Sequence, residues 1–392
     1  MKRYVRGTAI LLALLLAPAF LSGCWDKKEL NEVAVVIGVG VDLAPNGEYQ
    51  ITAQVIKPTA QGAGSASGGS ELPTWSLSAS GRTYTDAVSE LNRISPRRLY
   101  WPHLQIVIFG QELAQAGIAP VLTWFERDRD SRSGTFVVVT RGTAEDLLNQ
   151  KIELGNVPAK SMADLINNAQ IRQLPARQMT LRKLTGILAT PGVDTTLDII
   201  NPRKIRGKVE TYELAGAAIF RGDKMAGSVT TETVHGLAIA TNKYENAILT
   251  VACPKDEQEN VTYLLTDFQS QLRADWVDGR VLARLRVFIE GNVNDQTCQE
   301  RVLEPDALKV LEKNIADTID AQVRGMFEEG VRKQADVFGI GRKLRMTHPD
   351  AWRKVSKDWR SELQHVKLEI QTDANVRRGG LVIEPTIDKM KD

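Results

Sequence analysis

The sequence has few of the residues on which catalytic and metal sites usually depend. Its 392 residues include three cysteines and four histidines, and aromatic side chains make up 6%. The histidines are scattered along the chain: His103, His235, His348 and His365. No His-Glu-x-x-His or Cys-x-x-Cys spacing occurs, so the pattern excludes the common zinc hydrolases and thiol oxidoreductases. We therefore interpret each histidine as a capping or surface residue.

Motifs of other enzyme classes are missing as well. There is no Gly-x-Ser-x-Gly nucleophile elbow, no Ser-x-x-Lys pair and no phosphate-binding loop. Gly38-Val39-Gly40 lies within a predicted strand and Gly339-Ile340-Gly341 follows a predicted helix. Neither is therefore predicted to open a helix, as a dinucleotide-binding turn must. The sequence predicts no enzyme, no catalytic residue, no cofactor and no metal.

The chain also lacks an excess of one charge. It contains 50 Lys and Arg residues against 48 Asp and Glu residues, for a net charge of +2. Lys2, Arg3 and Arg6 lie in the first 23 residues, which contain no acidic residue, so removal of that segment leaves 47 basic residues against 48 acidic ones. Nucleic-acid binding needs a clustered basic face. We predict no nucleic-acid partner.

Long apolar runs are absent except near the N-terminus. Residues 8–21 are almost continuously apolar, but a helix needs about 20 such residues to cross a bilayer. Basic residues before a short apolar run are typical of a secretory signal. The sequence therefore predicts a signal peptide over residues 1–23 rather than a membrane span.

The run ends in Leu21-Ser22-Gly23-Cys24, which matches the bacterial lipobox. In that motif the peptidase cleaves between Gly23 and Cys24, and the Cys24 thiol carries diacylglycerol. Two acyl chains anchor a protein stably, whereas one chain is marginal. Ordinary secretion with cleavage near Ala17-Pro18-Ala19 is the alternative. We predict lipid attachment at Cys24 and an extracytoplasmic location.

The other two cysteines, Cys253 and Cys298, are far apart in sequence. In an oxidising compartment they could form a disulfide. The alternative is two independent thiols, one of them buried beside a strand. No set of metal ligands surrounds either cysteine in the sequence.

Strand and helix patterns alternate in the first part of the chain, which is typical of helices packed on a sheet. Strands are predicted at 33–41, 49–55, 75–79, 104–109 and 135–139, with helices at 83–94 and 112–125 and a hairpin turn at Asn46-Gly47. Residues 61–70 are mostly Gly, Ala and Ser and predict a flexible loop. A helix-rich stretch at 143–188 and a polar boundary near 201–208 follow. We predict an N-terminal α/β domain over 24–155 and a small helix-rich middle region over 156–208.

The C-terminal domain, over 209–392, is predicted to be α+β. Strands are predicted at 213–220, 229–240, 247–251, 282–289 and 365–371. Pro305 begins a helix of roughly 30 residues, ended by Gly339 and Gly341. Its apolar stripe comprises Leu308, Leu311, Ile315, Ile319, Val323, Phe327 and Val331. A second helix follows Thr347, with Trp352, Val355, Trp359 and Leu363 on one face. We predict a multi-domain α+β fold in which an antiparallel-leaning C-terminal sheet is covered by the long helix, and we interpret the stripe as core rather than as a partner seam.

The densest charged segment is residues 126–132, Glu-Arg-Asp-Arg-Asp-Ser-Arg. Paired carboxylates serve glycosidases only when their environments push their pKa values apart. Here three arginines alternate with the acids and hold them ionised. We interpret the segment as a solvated helix end or an interdomain ion-pair network, with partner contact as the alternative.

Several segments resemble the C subunit of spore germinant receptors. They are Cys24-Trp25-Asp26 with Glu29-Leu30, Gly-Val-Gly-Val-Asp at 38–42, residues 125–132, Ala-Asp-Val-Phe-Gly-Ile-Gly at 335–341, the downstream Trp352 and Trp359, and the closing strand to Gly379. The motifs occur in the family's order and extend over essentially the whole chain.

The resemblance implies a lipoprotein of an endospore-forming bacterium, on the outer face of the inner spore membrane. It implies a non-catalytic subunit, held by diacylglycerol on Cys24, that acts beside two integral membrane subunits of the A and B types. Such a complex senses nutrients and triggers germination. The family's fold is three mixed α/β domains without an established catalytic site, and the pair Cys253 and Cys298 is outside its pattern. An extracytoplasmic solute-binding lipoprotein and an enzyme of the spore wall remain as alternatives.

Overall fold

The computed structural model describes residues 32–57, 74–128, 132–152, 155, 157–169, 176–205, 207–242 and 247–378. The predicted signal peptide, Gly23, Cys24 and the predicted loop at 61–70 lie outside the described residues. The strands are β1 (Val33–Leu43), β2 (Tyr49–Ile56), β3 (Thr74–Gly81), β4 (Arg98–Tyr100), β5 (Ile106–Phe109), β6 (Phe136–Val139), β7 (Thr195–Ile205), β8 (Lys208–Arg221), β9 (Lys224–Val229), β10 (Ala247–Ala252), β11 (Asn260–Val277), β12 (Arg280–Gln296) and β13 (Lys367–Arg378). The helices are α1 (Tyr84–Ile94), α2 (Gln111–Ala116), α3 (Ala119–Arg127), α4 (Ala144–Asn149), α5 (Pro158–Asn167), α6 (Leu181–Leu188), α7 (Thr231–Ala240), α8 (Pro305–Arg332), α9 (Ile340–Thr347), α10 (Pro349–Val355) and α11 (Trp359–Glu362).

The first sheet contains nine of the described strands in the order β3-β2-β1-β5-β6-β7-β8-β9, with β4 paired to β1. Its centre is parallel, because β1, β5, β6 and β7 pair in the same direction. The strands on either side of that centre are antiparallel. Asn46-Gly47 lies in the turn between β1 and β2, as predicted, and Gly47 has a φ of +80° that favours glycine there.

Helices cover both faces of this sheet. Strand β5 reads Ile-Val-Ile-Phe and is buried at every position, a pattern typical of parallel strands with two covered faces. Val107 and Phe109 pack into a core with α1, α2, α3 and α6. Ile106 and Ile108 point the other way, into a core with α4 and α5. The centre of the sheet therefore offers no open face to a ligand.

The second sheet has the order β10-β11-β12-β13, antiparallel except for the parallel pair β12 and β13. Buried and exposed residues alternate along β12, because the long helix α8 covers only one face. Leu311, Ile315, Ile319 and Val323 of α8 are fully buried in that core. The predicted α+β fold, with an antiparallel-leaning C-terminal sheet under a long helix, is confirmed.

One strand belongs to both cores. Ala218 and Phe220 of β8 pack into the core of the first sheet, whereas Ala217 and Ile219 face the core of the second sheet. The boundary predicted at 208/209 falls beside the turn between β7 and β8, which are paired strands of one sheet. The chain therefore continues the first sheet beyond residue 208, to Val229.

Some element predictions were wrong. Residues 229–240, predicted as a strand, form the end of β9 and then α7. The predicted helix at 112–125 is two helices, α2 and α3, separated at Gly117, which has a φ of +131°. The second C-terminal helix is divided into α10 and α11, with 3₁₀ turns at Ser356–Asp358 and Leu363–His365. No helix among the described residues combines the length and apolar character needed to cross a membrane.

Candidate functional site

Some of the predicted site residues lie outside the described residues, and the histidines lie in separate parts of the structure. Gly23 and Cys24 precede the described residues, and β1 begins at Val33. The histidines stay apart: the His103 ring packs at a tilt against Tyr100 with ring centroids 5.7 Å apart, and His348 lies 3.6 Å from Asp275. Within the described part of the chain, no histidine joins a group of three metal-binding side chains.

Cys253 and Cys298 form a disulfide with their Cα atoms 6.5 Å apart. It joins the end of β10 to the segment after β12, and both cysteines are buried. The fold also brings Glu300 within 4.8 Å of the two sulfur atoms, a ligand grouping that the sequence did not suggest. Zinc binds cysteine as the thiolate, so the disulfide form offers no sulfur ligand. Glu300 instead accepts a hydrogen bond from the Lys255 N–H at 2.9 Å.

The charged segment 126–132 is only partly described. Glu126 and Arg127 end α3, and the Asp128 N–H donates to the Trp124 carbonyl at 3.0 Å. Residues 129–131 lie outside the described residues. The described part is a helix end, and the ion-pair and partner-contact interpretations stay predictions.

The Gly-Val-Gly-Val-Asp motif fixes two helices onto β1. A Cβ on Gly38 would lie 2.3 Å from the Ala159 Cβ, and one on Gly40 would lie 2.8 Å from the Ala144 Cβ. Only glycine allows α4 and α5 to approach β1 this closely. Asp42 then accepts hydrogen bonds from the Ala144 N–H at 2.7 Å and the Glu145 N–H at 3.0 Å. The motif serves packing and helix capping.

Segment 335–341 forms the turn between α8 and α9 around the buried carboxylate of Asp336. Its Oδ1 accepts a hydrogen bond from the Ile340 N–H at 2.9 Å, and its Oδ2 accepts one from the Gly341 N–H at 2.7 Å. The Trp359 Nε1–H also donates to Oδ2, at 3.1 Å. Burial raises the pKa of Asp336 to about 6, although these donors act in the opposite direction.

Asp194, which precedes β7, faces Asp336 from the first sheet. The Asp336 N–H donates to the Asp194 Oδ2 at 2.9 Å, and the Asp194 N–H donates to the Asp336 carbonyl at 2.8 Å. The Asp194 Oδ1 accepts a hydrogen bond from the Gly222 N–H at 2.7 Å, and the Arg360 guanidinium lies 3.6 Å from that oxygen. We call this arrangement of Asp194, Asp336, Trp359 and Arg360 the Asp194–Asp336 junction.

Two glycines let the chain segments meet at the junction. A Cβ on Gly341 would lie 2.6 Å from the Trp359 Cε2, and Gly192, with a φ of +77°, would place a Cβ 2.6 Å from the Gly341 carbonyl carbon. The Arg342 N–H donates to the Gly192 carbonyl. The sequence prediction that Gly339-Ile340-Gly341 does not open a helix was wrong, because α9 begins at Ile340. Its first N–H groups bind Asp336 instead of a phosphate.

The carboxylates of the junction hold separate backbone segments together. Every carboxylate oxygen of Asp194 and Asp336 faces a hydrogen-bond donor or a guanidinium. Satisfied carboxylates of this kind fix backbone segments and are not poised for proton transfer to a substrate. The junction therefore fastens the second sheet and its helices to the first sheet.

A groove lies beside the junction, with a volume of about 640 Å³. One wall is the segment from Leu188 to Asp194, and the other comes from residues 356–361 and Trp352. Trp352 and Trp359 pack edge to face with centroids 5.4 Å apart. The groove is a concave surface between the two halves of the molecule, where ligand sites often occur.

Sequence reasoning found part of this site. The 335–341 segment and both tryptophans were recognised by resemblance, but no role was assigned to Asp336 and Asp194 was missed. An aspartate four and five residues before two N–H groups that open a helix is the local signal for Asp336. Nothing local marks Asp194, because its partner lies 142 residues away.

Comparison with known proteins identifies two family matches. Residues 26–202 match the family described as spore germination protein N-terminal domain, and residues 215–380 match spore germination B3/GerAC like, C-terminal. Spore germination protein KC of Bacillus subtilis (strain 168) is 22% identical over 406 residues, covering 99% of this chain and 100% of that protein. Spore germination protein A3 of the same strain is 22% identical over 376 residues, covering 94% and 97%.

The fold is similar to one solved by crystallography. The crystal structure of the GerBC protein matches with a TM-score of 0.54 and 16% identity, covering 90% of this chain and 99% of that one. The segment between the two family matches, 203–214, spans the β7–β8 hairpin, where the first and second cores share a strand. From its two family matches, which together extend over most of its length, the chain belongs to the spore germination B3/GerAC-like family.

Proposed function

We propose that this protein is a lipid-anchored, non-catalytic subunit of a nutrient germinant receptor that triggers spore germination. The observation that carries the proposal is the pair of family matches over residues 26–202 and 215–380. Relatives that align along nearly their whole length are named spore germination proteins KC, A3 and B3. The A-type and B-type integral membrane subunits are the proposed partners.

The geometry supports a role in assembly. The Asp194–Asp336 junction and the shared strand β8 hold the two sheets in a fixed relation. A rigid two-part body tethered at its N-terminus presents its surfaces to membrane partners at a high local concentration. Catalysis is not part of the proposal, since the carboxylates of the candidate site are occupied in binding backbone N–H groups.

The anchor is tested by replacing Cys24. In the Cys24→Ala chain we expect no acylation, loss from the membrane fraction and weaker germination in nutrients, while germination by non-nutrient agents continues. Ser22→Ala is the matched control, since it keeps a small residue beside the cleavage point and leaves the Cys24 thiol in place, so membrane retention should be unchanged. Full membrane retention of Cys24→Ala chains would overturn the lipid anchor.

The groove beside the junction favours one second candidate, an extracytoplasmic solute-binding lipoprotein. Its lining contains two tryptophans, Trp352 and Trp359, and two basic residues, Lys357 and Arg360. Titration calorimetry of the chain with amino acids and sugars tests this function. Micromolar binding that is lost in Arg360→Ala would favour the second candidate, and absence of heat would favour the first.

A further inference from the structure

One end of the first sheet differs from the rest of the molecular surface. Strand pairing brings Val33 beside Arg98 and Val55 beside Trp75. Helix α1 begins after β3 and packs back against it, so Ile94 and the turn after it return to the end where β3 starts. We call this surface, composed of Trp75, Ile94, Arg97 and Arg98, the anchor-side end.

The anchor-side end exposes large apolar side chains. Trp75 is 45% exposed and Ile94 is 44% exposed. Few other large apolar side chains are exposed in the described part of the chain. They lie on the β7–β8 hairpin, on the second sheet or on its helices. Nearby, Tyr100 at the end of β4 packs against His103. Tryptophan combines an apolar ring with a polar N–H and is favoured at membrane–water interfaces.

The same end carries positive charge. Arg98 is exposed and Arg97 is half-buried. No carboxylate of the described residues lies within ion-pair distance of either guanidinium, whereas neighbouring Arg93 is paired with Glu90. Glu32 directly precedes β1, and its carboxylate is among those that form no ion pair with Arg97 or Arg98. Arginines with no counter-ion among the described residues favour an anionic partner such as lipid phosphate.

The position of this end also points to a membrane. Residues 25–32 connect Cys24 to β1, and eight residues span at most about 29 Å when fully extended. A lipid on Cys24 would therefore hold the anchor-side end close to the headgroups. This placement rests on the proposed anchor, but the apolar and basic surface itself does not.

We propose that the anchor-side end binds directly to an anionic phospholipid surface. Arg97 and Arg98 pair with lipid phosphates, while Trp75 and Ile94 enter the interface between headgroups and acyl chains. The contact would fix the orientation of the tethered protein on the bilayer. The diacylglycerol on Cys24 and the protein surface would then supply two separate membrane signals.

Vesicle binding by an unacylated chain tests this contact without the anchor. The chain from residue 24 onward, carrying Cys24→Ser, is sedimented with vesicles of phosphatidylcholine alone or mixed with phosphatidylglycerol. We expect binding to the anionic vesicles that weakens as salt is added, because exposed charge pairs are screened. The double variant Arg97→Glu and Arg98→Glu should bind roughly tenfold or more weakly, and Trp75→Ser several-fold more weakly.

Matched controls lie on the second sheet. Arg280→Glu with Arg286→Glu makes the same change in net charge at exposed positions, and Phe288→Ser removes a ring that is 38% exposed. Both should bind vesicles like the parent. Circular dichroism melting of each variant verifies folding.

Three results would overturn the proposal. They are no binding of the parent to anionic vesicles, equal binding by the double arginine variant, and equal losses in the control pair. Impaired germination of the Arg97 and Arg98 variant with unchanged vesicle binding would assign the end to a protein partner instead. The vesicle assay is independent of acylation, so failure of the Cys24 anchor and failure of this contact are distinguishable.

Discussion

The two sheets of this protein bury their apolar side chains in different ways. The centre of the first sheet is parallel and covered by helices on both faces, so β5 and β6 are nearly continuous apolar runs. The second sheet is covered on one face only, and buried and exposed residues alternate along β10 and most of β12. Surface contacts of the first sheet are therefore confined to its ends and edges, while the second sheet keeps a broad open face.

The disulfide belongs to the second region and should give the largest difference between the two. The bridge spans a sequence separation of 45 residues, for which loop entropy predicts about 4 kcal/mol of stabilisation. The double variant Cys253→Ala and Cys298→Ala should lose roughly this unfolding free energy in urea. Hydrogen exchange should speed up most in β10 to β12 and least in β5. Equal urea midpoints for the variant and the oxidised parent would mean that the bridge does not form in solution.

The crossing of α7 and α8 should be the next most sensitive contact. A Cβ on Gly236 would lie 2.1 Å from the Gln322 carbonyl oxygen, so Gly236→Ala forces the helices apart and should cost about 3 kcal/mol. Gly325→Ala is the matched control on α8, because its Cβ would meet no atom within 4 Å. The control should be neutral or up to about 1 kcal/mol stabilising. Similar urea midpoints for both variants would contradict this crossing geometry.

A pH titration compares a buried carboxyl of each region. Burial raises the pKa of Asp336 at the junction, and of Asp198 in β7, to about 6. Each carboxyl therefore contributes stability that is complete below its unfolded pKa of about 4 and is lost as the pH rises through about 6. The shift of about two units corresponds to roughly 3 kcal/mol for each group.

The measurement is the free energy of unfolding between pH 4 and pH 7 in the parent, Asp336→Asn and Asp198→Asn. Each variant should lack one part of the decline that the parent shows. His235 has an opposite effect, because burial lowers its pKa to about 4, so only parent–variant differences are informative. Parallel curves for parent and variants would contradict the raised pKa values.

Removing one methyl group from an isoleucine should give the smallest change in unfolding free energy. Ile108 is fully buried in β5 and Ile248 is 46% exposed on β10. Ile108→Val should cost about 1 kcal/mol, while Ile248→Val should change the unfolding free energy by less than about 0.5 kcal/mol. Denaturant midpoints measure both. Equal losses would indicate that the open face of the second sheet is covered in solution.

The sequence predicted elements best where one face of the chain is buried. The stripe of α8 repeats every three or four residues, and α8 was predicted correctly. Helix α7 failed for the opposite reason: residues 236–240 are all buried, so no helical period separates an inner from an outer face. The long strand β11 was not predicted, since its polar residues interrupt the alternation.

The candidate site was likewise predicted only in part from the sequence. The Gly38 to Asp42 motif and the 335–341 segment were visible as sequence patterns, because each concentrates its glycines and aspartate in a few residues. The Asp194–Asp336 junction was not visible, since it needs β7 and the turn after α8 to meet in space. The pairing of Cys253 with Cys298 was one of two open alternatives until the fold brought them together.

By itself, the sequence determined the α+β class, the long C-terminal helix, the family resemblance and the expectation of a lipid on Cys24. These features depend on local periodicity or on short motifs. Only the tertiary structure decided that Gly38, Gly40 and Gly341 serve close packing, that Asp336 meets Asp194, and that Trp75, Ile94, Arg97 and Arg98 lie at one end of the first sheet. Those facts depend on contacts between distant segments, which local patterns do not encode.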